Sequence, residues 1–175
     1  MNWITRRGLH VDRTASAWLI KSHIDPAARF MFVAPDADIS ALEGCSFDMR
    51  GADYTHREGK CTFEVLLDAY SLAGDAALCA MGRIVREADV PSRGRRLTEA
   101  SGLDAIMRGF QLGVPDDEEK IRLTGPVYDA LYTYCRERIA EKPRSRATPR
   151  PRLTYRQRFV RHVEEETAAN PNADA

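Results

Sequence analysis

The stretch that decides the fold spans residues 2–33 and reads NWITRRGLHVDRTASAWLIKSHIDPAARFMFV. Its first residues, Asn2 to Thr5, combine polar and large apolar side chains over a short length, which predicts a strand. Asp12 then precedes apolar residues at near-helical spacing, so we predict a helix with Asp12 as its N-cap. Arg29 to Val33 is rich in Phe and Val and predicts a second strand. The chain therefore opens with a β-α-β unit.

Downstream of this unit the pattern changes from strands to helices. Ser46 to Arg50 and Asp53 to Arg57 predict two short strands joined by a hairpin-like turn at Gly51-Ala52. Apolar residues at i, i+3 and i+4 predict helices over Phe63 to Leu72, Asp75 to Ala88, Glu99 to Leu112 and Asp116 to Ala140. Gly125-Pro126 predicts a break in the last of these. The predicted fold class is α+β: a small N-terminal sheet with a β-α-β opening, followed by a helical layer of about four or five helices.

The composition is typical of a folded globular protein. Its 175 residues are 43% hydrophobic, and 26 basic residues balance 26 acidic ones. This length and apolar content predict one domain with its own core over residues 1–140. No apolar run approaches the roughly 20 residues that a bilayer span needs, and the N-terminus has no secretory pattern. We therefore predict a cytoplasmic protein without membrane insertion, and its four dispersed cysteines predict neither a disulfide framework nor a zinc knot.

The C-terminal stretch, residues 141–175, differs in kind from the domain. Residues 142–161 carry one Lys and seven Arg without an acidic residue, and prolines interrupt them. Such a stretch buries too little apolar surface to fold alone, so we predict a tail that is partly disordered or packs on a partner. A solvated appendage is the simplest interpretation. The alternative is a weak nucleic-acid contact through Arg144, Arg146, Arg150 and Arg152.

The densest cluster of reactive side chains lies at the junction between the predicted strand at Asp53 to Arg57 and the predicted helix that begins at Phe63. His56, Cys61 and Glu64 fall within nine residues of one another there. Imidazole, thiolate and carboxylate are ligands of first-row transition metals, so Fe, Mn or Zn binding is one hypothesis. The spacing matches no known ligand motif, and each residue also has a structural interpretation. Glu64 fits a first helical turn, Cys61 fits a small buried residue, and His56 fits a hydrogen-bonded loop histidine.

Several catalytic motifs are missing from the sequence. It contains no GxGxxG, no GxxxxGK[ST], no GxSxG and no HExxH. Phosphate-loop, nucleophile-elbow and zincin chemistry therefore receive no support.

Several blocks, taken in order, resemble a known family. They are Trp3 to Arg6, Val11 to Ile20, Ile24 to Phe30, Phe47-Asp48, Thr55 to Glu64, Arg83 to Asp89 and Val127 to Arg136. Together they resemble the ChrB-type chromate-resistance family, in the form of its C-terminal domain standing alone. The resemblance covers about residues 3–138 and leaves the Arg-rich tail outside.

The resemblance implies a role in the response to chromate or a related oxyanion, as an accessory or sensor domain. It also implies a shared polar site, because the blocks concentrate polar residues at Asp12-Arg13, His56, Glu64, Asp89 and Asp129. From it we predict metal ligation by His56, Glu64, Asp12 and Asp89, with Arg13 placed to bind an oxyanion through a bidentate contact.

Three functional hypotheses stay open at this stage. The first is a metal or oxyanion binder, and the second is a metal-dependent redox or hydrolytic enzyme in which Cys61 is the candidate catalytic residue. The third is a regulatory nucleic-acid binder that uses the basic tail. A homodimer is a further prediction, because Tyr155 and Phe159 give the tail apolar residues at helical spacing.

Overall fold

The N-terminal strand lies at the centre of a three-stranded parallel sheet. The structure is a computed structural model, and it describes residues 1–39, 42–90 and 97–141. Strand β1 (Asn2–Arg6) pairs with β2 (Arg29–Val33) on one side and with the short strand β3 (Cys45–Ser46) on the other. Trp3 of β1 lies opposite both Phe30 and Cys45. Because all three strands run parallel, their carboxyl ends meet at one edge of the sheet.

Helices supply the rest of the fold. Helix α1 (Val11–Leu19) and a π-helical turn at Ile20–Ile24 connect β1 to β2, which confirms the predicted β-α-β opening. Four more helices follow the sheet: α2 (Thr62–Ala69), α3 (Ala76–Asp89), α4 (Thr98–Gly113) and α5 (Asp117–Ala140). The predicted α+β class is therefore confirmed. In the part of the chain that the structure describes, no helix combines the length and apolar character needed to span a bilayer.

Helix α1 is the central helix of the domain. It packs against α2, α3, α4 and α5, and all nine of its residues are buried. Four of those residues are polar: Asp12, Arg13, Thr14 and Ser16. A buried polar group is costly unless it is hydrogen-bonded, so each of these side chains must find a partner inside the protein. Thr14, for example, bonds the hydroxyl of Tyr128, which in turn donates to the Val11 carbonyl.

The predicted role of Asp12 as N-cap of its own helix is wrong. Helix α1 begins at Val11, and the residue before it, His10, makes no side-chain capping bond. Asp12 is the second residue of the helix, two positions past the N-cap. Its carboxylate is fully buried and turns instead toward the N-terminus of α2.

The predicted hairpin over residues 46–57 is also wrong. The segment contributes only β3 to the sheet, and the pairing is parallel to β1. The cause is the side chain of Asp53, whose carboxylate accepts hydrogen bonds from the amide and the hydroxyl of Ser46. These bonds take the place of a returning antiparallel strand, and the following residues form isolated bridges, a parallel one between Phe47 and Tyr54 and an antiparallel one between Arg57 and Lys60.

The predicted break at Gly125-Pro126 does not occur. Helix α5 continues through Pro126 from Asp117 to Ala140. A proline inside a helix removes one backbone hydrogen bond, but buried side chains on both sides of it, Ile121 and Tyr128, keep the two halves in line.

The predicted boundary between a domain over 1–140 and a tail stays a prediction. The residues Met1–Ala140 form one compact unit around the core described above. The four tail arginines predicted to contact nucleic acid, Arg144, Arg146, Arg150 and Arg152, lie outside the described residues.

Candidate metal centre

Asp12 connects the central helix to the start of α2. Its Oδ2 accepts the amide N–H of Thr62 at 2.8 Å, and its Oδ1 accepts that of Phe63 at 3.0 Å. These are the first two amides of α2, which have no acceptor within their own helix. A carboxylate at this position is also stabilised by the positive end of the helix dipole. Asp12 therefore caps a helix that is 50 residues away in the chain.

His56 lies in the loop before α2 and faces three carboxylates. Its Nε2 is 2.9 Å from Oδ2 of Asp12, 3.4 Å from Oδ1 of Asp48 and 3.6 Å from Oδ2 of Asp89. The hydrogen bonds to Asp12 and Asp48 raise the pKa of His56 to about 10, although partial burial acts in the opposite direction. His56 is thus a cation at neutral pH, and its proton lies where the carboxylates converge.

Asp89 is the last residue of α3 and completes the group. Burial, followed by the charges of Asp12 and Asp48, raises the pKa of Asp89 to about 6. The C-terminal end of a helix carries partial negative charge, which disfavours an ionised carboxylate there. Asp89 is therefore held in a place that stabilises its charge poorly. Unfavourable placement of a titratable group is common at functional sites.

Three of the four predicted metal ligands come together. One ligand atom from each of Asp12, His56 and Asp89 lies within 4.8 Å of the others. This separation is compatible with one ion bonded to all three, at the oxygen and nitrogen distances of about 2.0–2.2 Å that are usual for such metals. The arrangement can hold one ion at Asp12, His56 and Asp89, and the ligand set stays a prediction.

Glu64, the fourth predicted ligand, lies outside this group. Its Oε2 accepts the backbone N–H of Cys61, and Arg86 donates to both of its carboxylate oxygens at 3.1 and 3.2 Å. Glu64 thus closes a capping box at the start of α2 and forms an ion pair with α3. Its ligand role stays a prediction, and the contacts that the structure shows for it are structural ones.

Cys61, the candidate catalytic residue, occupies the N-cap position of α2. Its side chain is buried, and burial raises the pKa of the thiol above its usual value, with the charge of Asp12 adding to the effect. The thiolate is the reactive form of cysteine, and raising the pKa disfavours it. The geometry therefore favours a structural role for Cys61 at neutral pH.

Arg13, predicted to bind an oxyanion, is committed to protein acceptors. Its Nε lies 2.9 Å from Oδ2 of Asp48, and its Nη1 donates to the Gly8 carbonyl at 3.1 Å. The guanidinium is largely buried beneath the cluster. Asp129, another polar residue of the family-like blocks, is also apart from the cluster and accepts a hydrogen bond from Trp18.

Asp48 is the member of the site that the sequence analysis missed. It follows β3 at the carboxyl edge of the sheet, where polar side chains of parallel strands often form binding sites. The signal was present, since Phe47-Asp48 is one of the family-like blocks. The predicted antiparallel hairpin concealed it, because a hairpin strand does not place residue 48 at the edge where β1 ends.

A surface cavity gives access to the cluster from one side. It has a volume of about 510 Å³, and its lining includes His56, Gly59, Lys60, Arg86 and Val90. The His56 side chain is 37% exposed, whereas that of Asp12 is fully buried. The site therefore has a closed protein side, formed by Asp12, and an open side at His56.

Comparison with known proteins supplies a family match. The profile of the family described as "ChrB, C-terminal domain" matches residues 3–135. The chain is also 38% identical over 132 residues to Protein ChrB of Cupriavidus metallidurans, an alignment that covers 75% of this chain and 40% of that protein. The chain thus spans less than half the length of this relative. No solved structure matches the chain.

Proposed function

Because the chain belongs to the ChrB C-terminal domain family, we propose that it acts in chromate resistance, as an accessory or sensor domain that binds a divalent first-row metal ion. Membership of the family is the basis for the proposed role in chromate resistance. The side chains of the candidate site are the basis for the proposed metal binding. The observation that carries the proposal is the convergence of Asp12, His56 and Asp89 on one point beside an open cavity.

Charge balance supports a cation at this point. Three carboxylates face His56, those of Asp12, Asp48 and Asp89, and Arg13 forms an ion pair with one of them, Asp48. With His56 protonated, the three negative charges face two positive ones. A divalent ion that replaces the His56 proton would bring the group to neutrality. Metal binding at such a site requires neutral imidazole, so it releases this proton and becomes stronger as the pH rises.

The ligand types narrow the choice of ion to the group predicted from the sequence. Carboxylate and imidazole together suit Fe, Mn or Zn. Cys61 is buried at the N-cap of α2, and its thiol would favour softer ions only if it took part. We propose binding as the function, and turnover of a substrate is not required for it. The cytoplasmic location, the homodimer and the nucleic-acid contact remain predictions from the sequence.

We expect metal ions to raise the melting temperature of protein stripped with a chelator. An ion present at 100 times its dissociation constant stabilises the native state by about 2.7 kcal/mol, which for a protein of this size is about 5–10 °C. The measurement is thermal denaturation with Mn²⁺, Fe²⁺ or Zn²⁺, with and without chromate. His56→Ala should abolish the metal shift, and the exposed-site variant Glu119→Gln should keep it. An equal shift in His56→Ala would place the ion elsewhere.

We expect the site to be needed for growth on chromate. In cells that lack the gene, wild-type protein should restore growth at inhibitory chromate concentrations, whereas His56→Ala should not. Glu119→Gln should restore it as the wild type does, because Glu119 lies on the surface and pairs only with Arg122 among the described residues. Protein levels are compared by immunoblot. Full rescue by His56→Ala at equal protein level would separate the cluster from chromate resistance.

A further inference from the structure

Asp48 contacts the same imidazole nitrogen of His56 that Asp12 and Asp89 contact. Its Oδ1 is 3.4 Å from Nε2 of His56, slightly closer than the Asp89 oxygen at 3.6 Å. The side chain is 13% exposed. The backbone of Asp48 has a φ of 47°, in the left-handed region that few non-glycine residues adopt. Such a conformation is maintained when the surrounding contacts hold it, and here they aim the carboxylate at His56.

The two oxygens of Asp48 have separate partners. Oδ2 pairs with Nε of Arg13 at 2.9 Å, and Nε also lies 3.2 Å from the Asp48 carbonyl. Oδ1 accepts a hydrogen bond from the hydroxyl of Thr62 at 2.9 Å and keeps its other side toward His56. This is the usual arrangement of a monodentate metal ligand, in which one oxygen bonds the ion and outer hydrogen bonds fix the orientation.

Resting on the proposed function, we infer that Asp48 is a fourth protein ligand of the metal ion and that Arg13 is the residue that positions it. Arg13 extends from the buried helix α1, so its guanidinium is fixed by the core. The fork of Nε on Asp48 and Nη1 on the Gly8 carbonyl holds the loop after β3 against the start of α1. Arg13 thus acts on the ion through Asp48, in place of the oxyanion contact that we predicted from the sequence.

A fourth ligand that is the third carboxylate changes the character of the ligand set. Three aspartates and one histidine make a set that is mostly oxygen, and oxygen-rich sites suit Mn²⁺ and Fe²⁺, which accept more than four ligands. The open side of the site at His56 leaves room for water or another small ligand to complete the coordination. We therefore use Mn²⁺ as the probe for the test.

The test is a titration of chelator-stripped protein with Mn²⁺, in which the electron paramagnetic resonance signal of the free ion is followed. We expect Asp48→Asn to weaken binding at least tenfold, the size of effect common for residues around a metal. Asp53→Asn is the matched control. It removes a carboxylate from the same loop, one that bonds Ser46 and is not among the three carboxylates that face His56. Binding by Asp48→Asn as tight as that of Asp53→Asn would overturn the inference.

Arg13 is tested by a double-mutant cycle. Arg13→Gln should weaken Mn²⁺ binding in the wild-type background and have no further effect in Asp48→Asn, because its action passes through Asp48. An equal loss in both backgrounds would show that Arg13 supports the fold and does not position the ligand. If Asp48→Asn fails to fold by circular dichroism, Asp48→Glu takes its place. Displacement of the carboxylate by one methylene should also weaken binding, and unchanged binding would overturn the inference.

The titration separates this inference from the proposed function. Wild-type protein that binds no Mn²⁺, or His56→Ala that binds it as well as the wild type, would overturn both. Loss of binding in His56→Ala together with normal binding in Asp48→Asn would leave a three-ligand site and overturn the fourth ligand alone.

Discussion

Asp12→Ala is expected to lower the free energy of unfolding of the metal-free protein by about 3–5 kcal/mol. The substitution leaves the amides of Thr62 and Phe63 without their acceptor inside the protein, and it removes the nearest carboxylate from the His56 cation. A hydrogen bond to a buried charged group contributes roughly 1.5–3 kcal/mol, and removal of one partner from a buried ion pair costs about 3–5 kcal/mol. Urea denaturation at neutral pH measures the change.

Asp75→Ala is the matched control for this prediction. Asp75 also accepts two helix amides, those of Ala77 and Leu78, but it caps its own helix at a partly exposed position. Loss of such an N-cap typically costs about 0.5–2 kcal/mol. If Asp12→Ala destabilised the protein no more than Asp75→Ala does, the buried link between α1, α2 and His56 would not be the strong contact described above.

Asp89→Asn is expected to have the opposite effect on the metal-free protein, a gain of roughly 1–2 kcal/mol at pH 7. Burial and the charges of Asp12 and Asp48 raise the pKa of Asp89 from 3.8 to about 6. In a metal-free protein the ionised Asp89 therefore lowers the free energy of unfolding, and its replacement removes the repulsion from Asp12 and Asp48. A substitution that stabilises a protein while it removes function is the usual mark of a residue kept for its chemistry.

The dependence of this gain on pH follows from the direction of the shift. Below about pH 4 Asp89 is protonated in the folded and unfolded states alike, so wild type and Asp89→Asn should have equal stability. Between about pH 4 and 6 the unfolded state releases the proton first, and the wild type should lose stability relative to the variant. Above pH 6 the difference should be constant. A variant less stable than the wild type at pH 7 would show that Asp89 has a structural role.

The parts of the fold that could be predicted are those that local pattern determines. The β-α-β opening follows from strand and helix periodicity in residues 2–33, and each helix of the second half begins one residue from its predicted start. The break at Pro126 was predicted from a local rule, and packing of α5 on both sides of the proline overrides that rule.

The candidate site was predictable only in part, because its geometry depends on contacts between distant residues. His56 was identified from a local cluster of reactive side chains. Asp12 and Asp89 came from the family resemblance, since no spacing rule connects residues 12, 56 and 89. Glu64 was grouped with them because it is close in sequence, yet Arg86, 22 residues away, holds its carboxylate. Asp48 was missed because a parallel strand was interpreted as a hairpin.

One feature of the sequence would have pointed further toward the site. Helix α1 carries four polar residues, Asp12, Arg13, Thr14 and Ser16, among its first six residues. A helix that connects two parallel strands and is then covered by four others has no solvent-facing side, so its polar residues must pair internally.

The measurement that tests the central claim most directly is the metal content of protein purified without added metal, for wild type and Asp89→Asn side by side. The variant is expected to fold at least as well as the wild type, so a loss of metal cannot be assigned to unfolding. We predict close to one Fe, Mn or Zn per chain in the wild type and almost none in Asp89→Asn. Equal metal content in the two proteins, or none in the wild type, would contradict a metal centre at Asp12, His56 and Asp89.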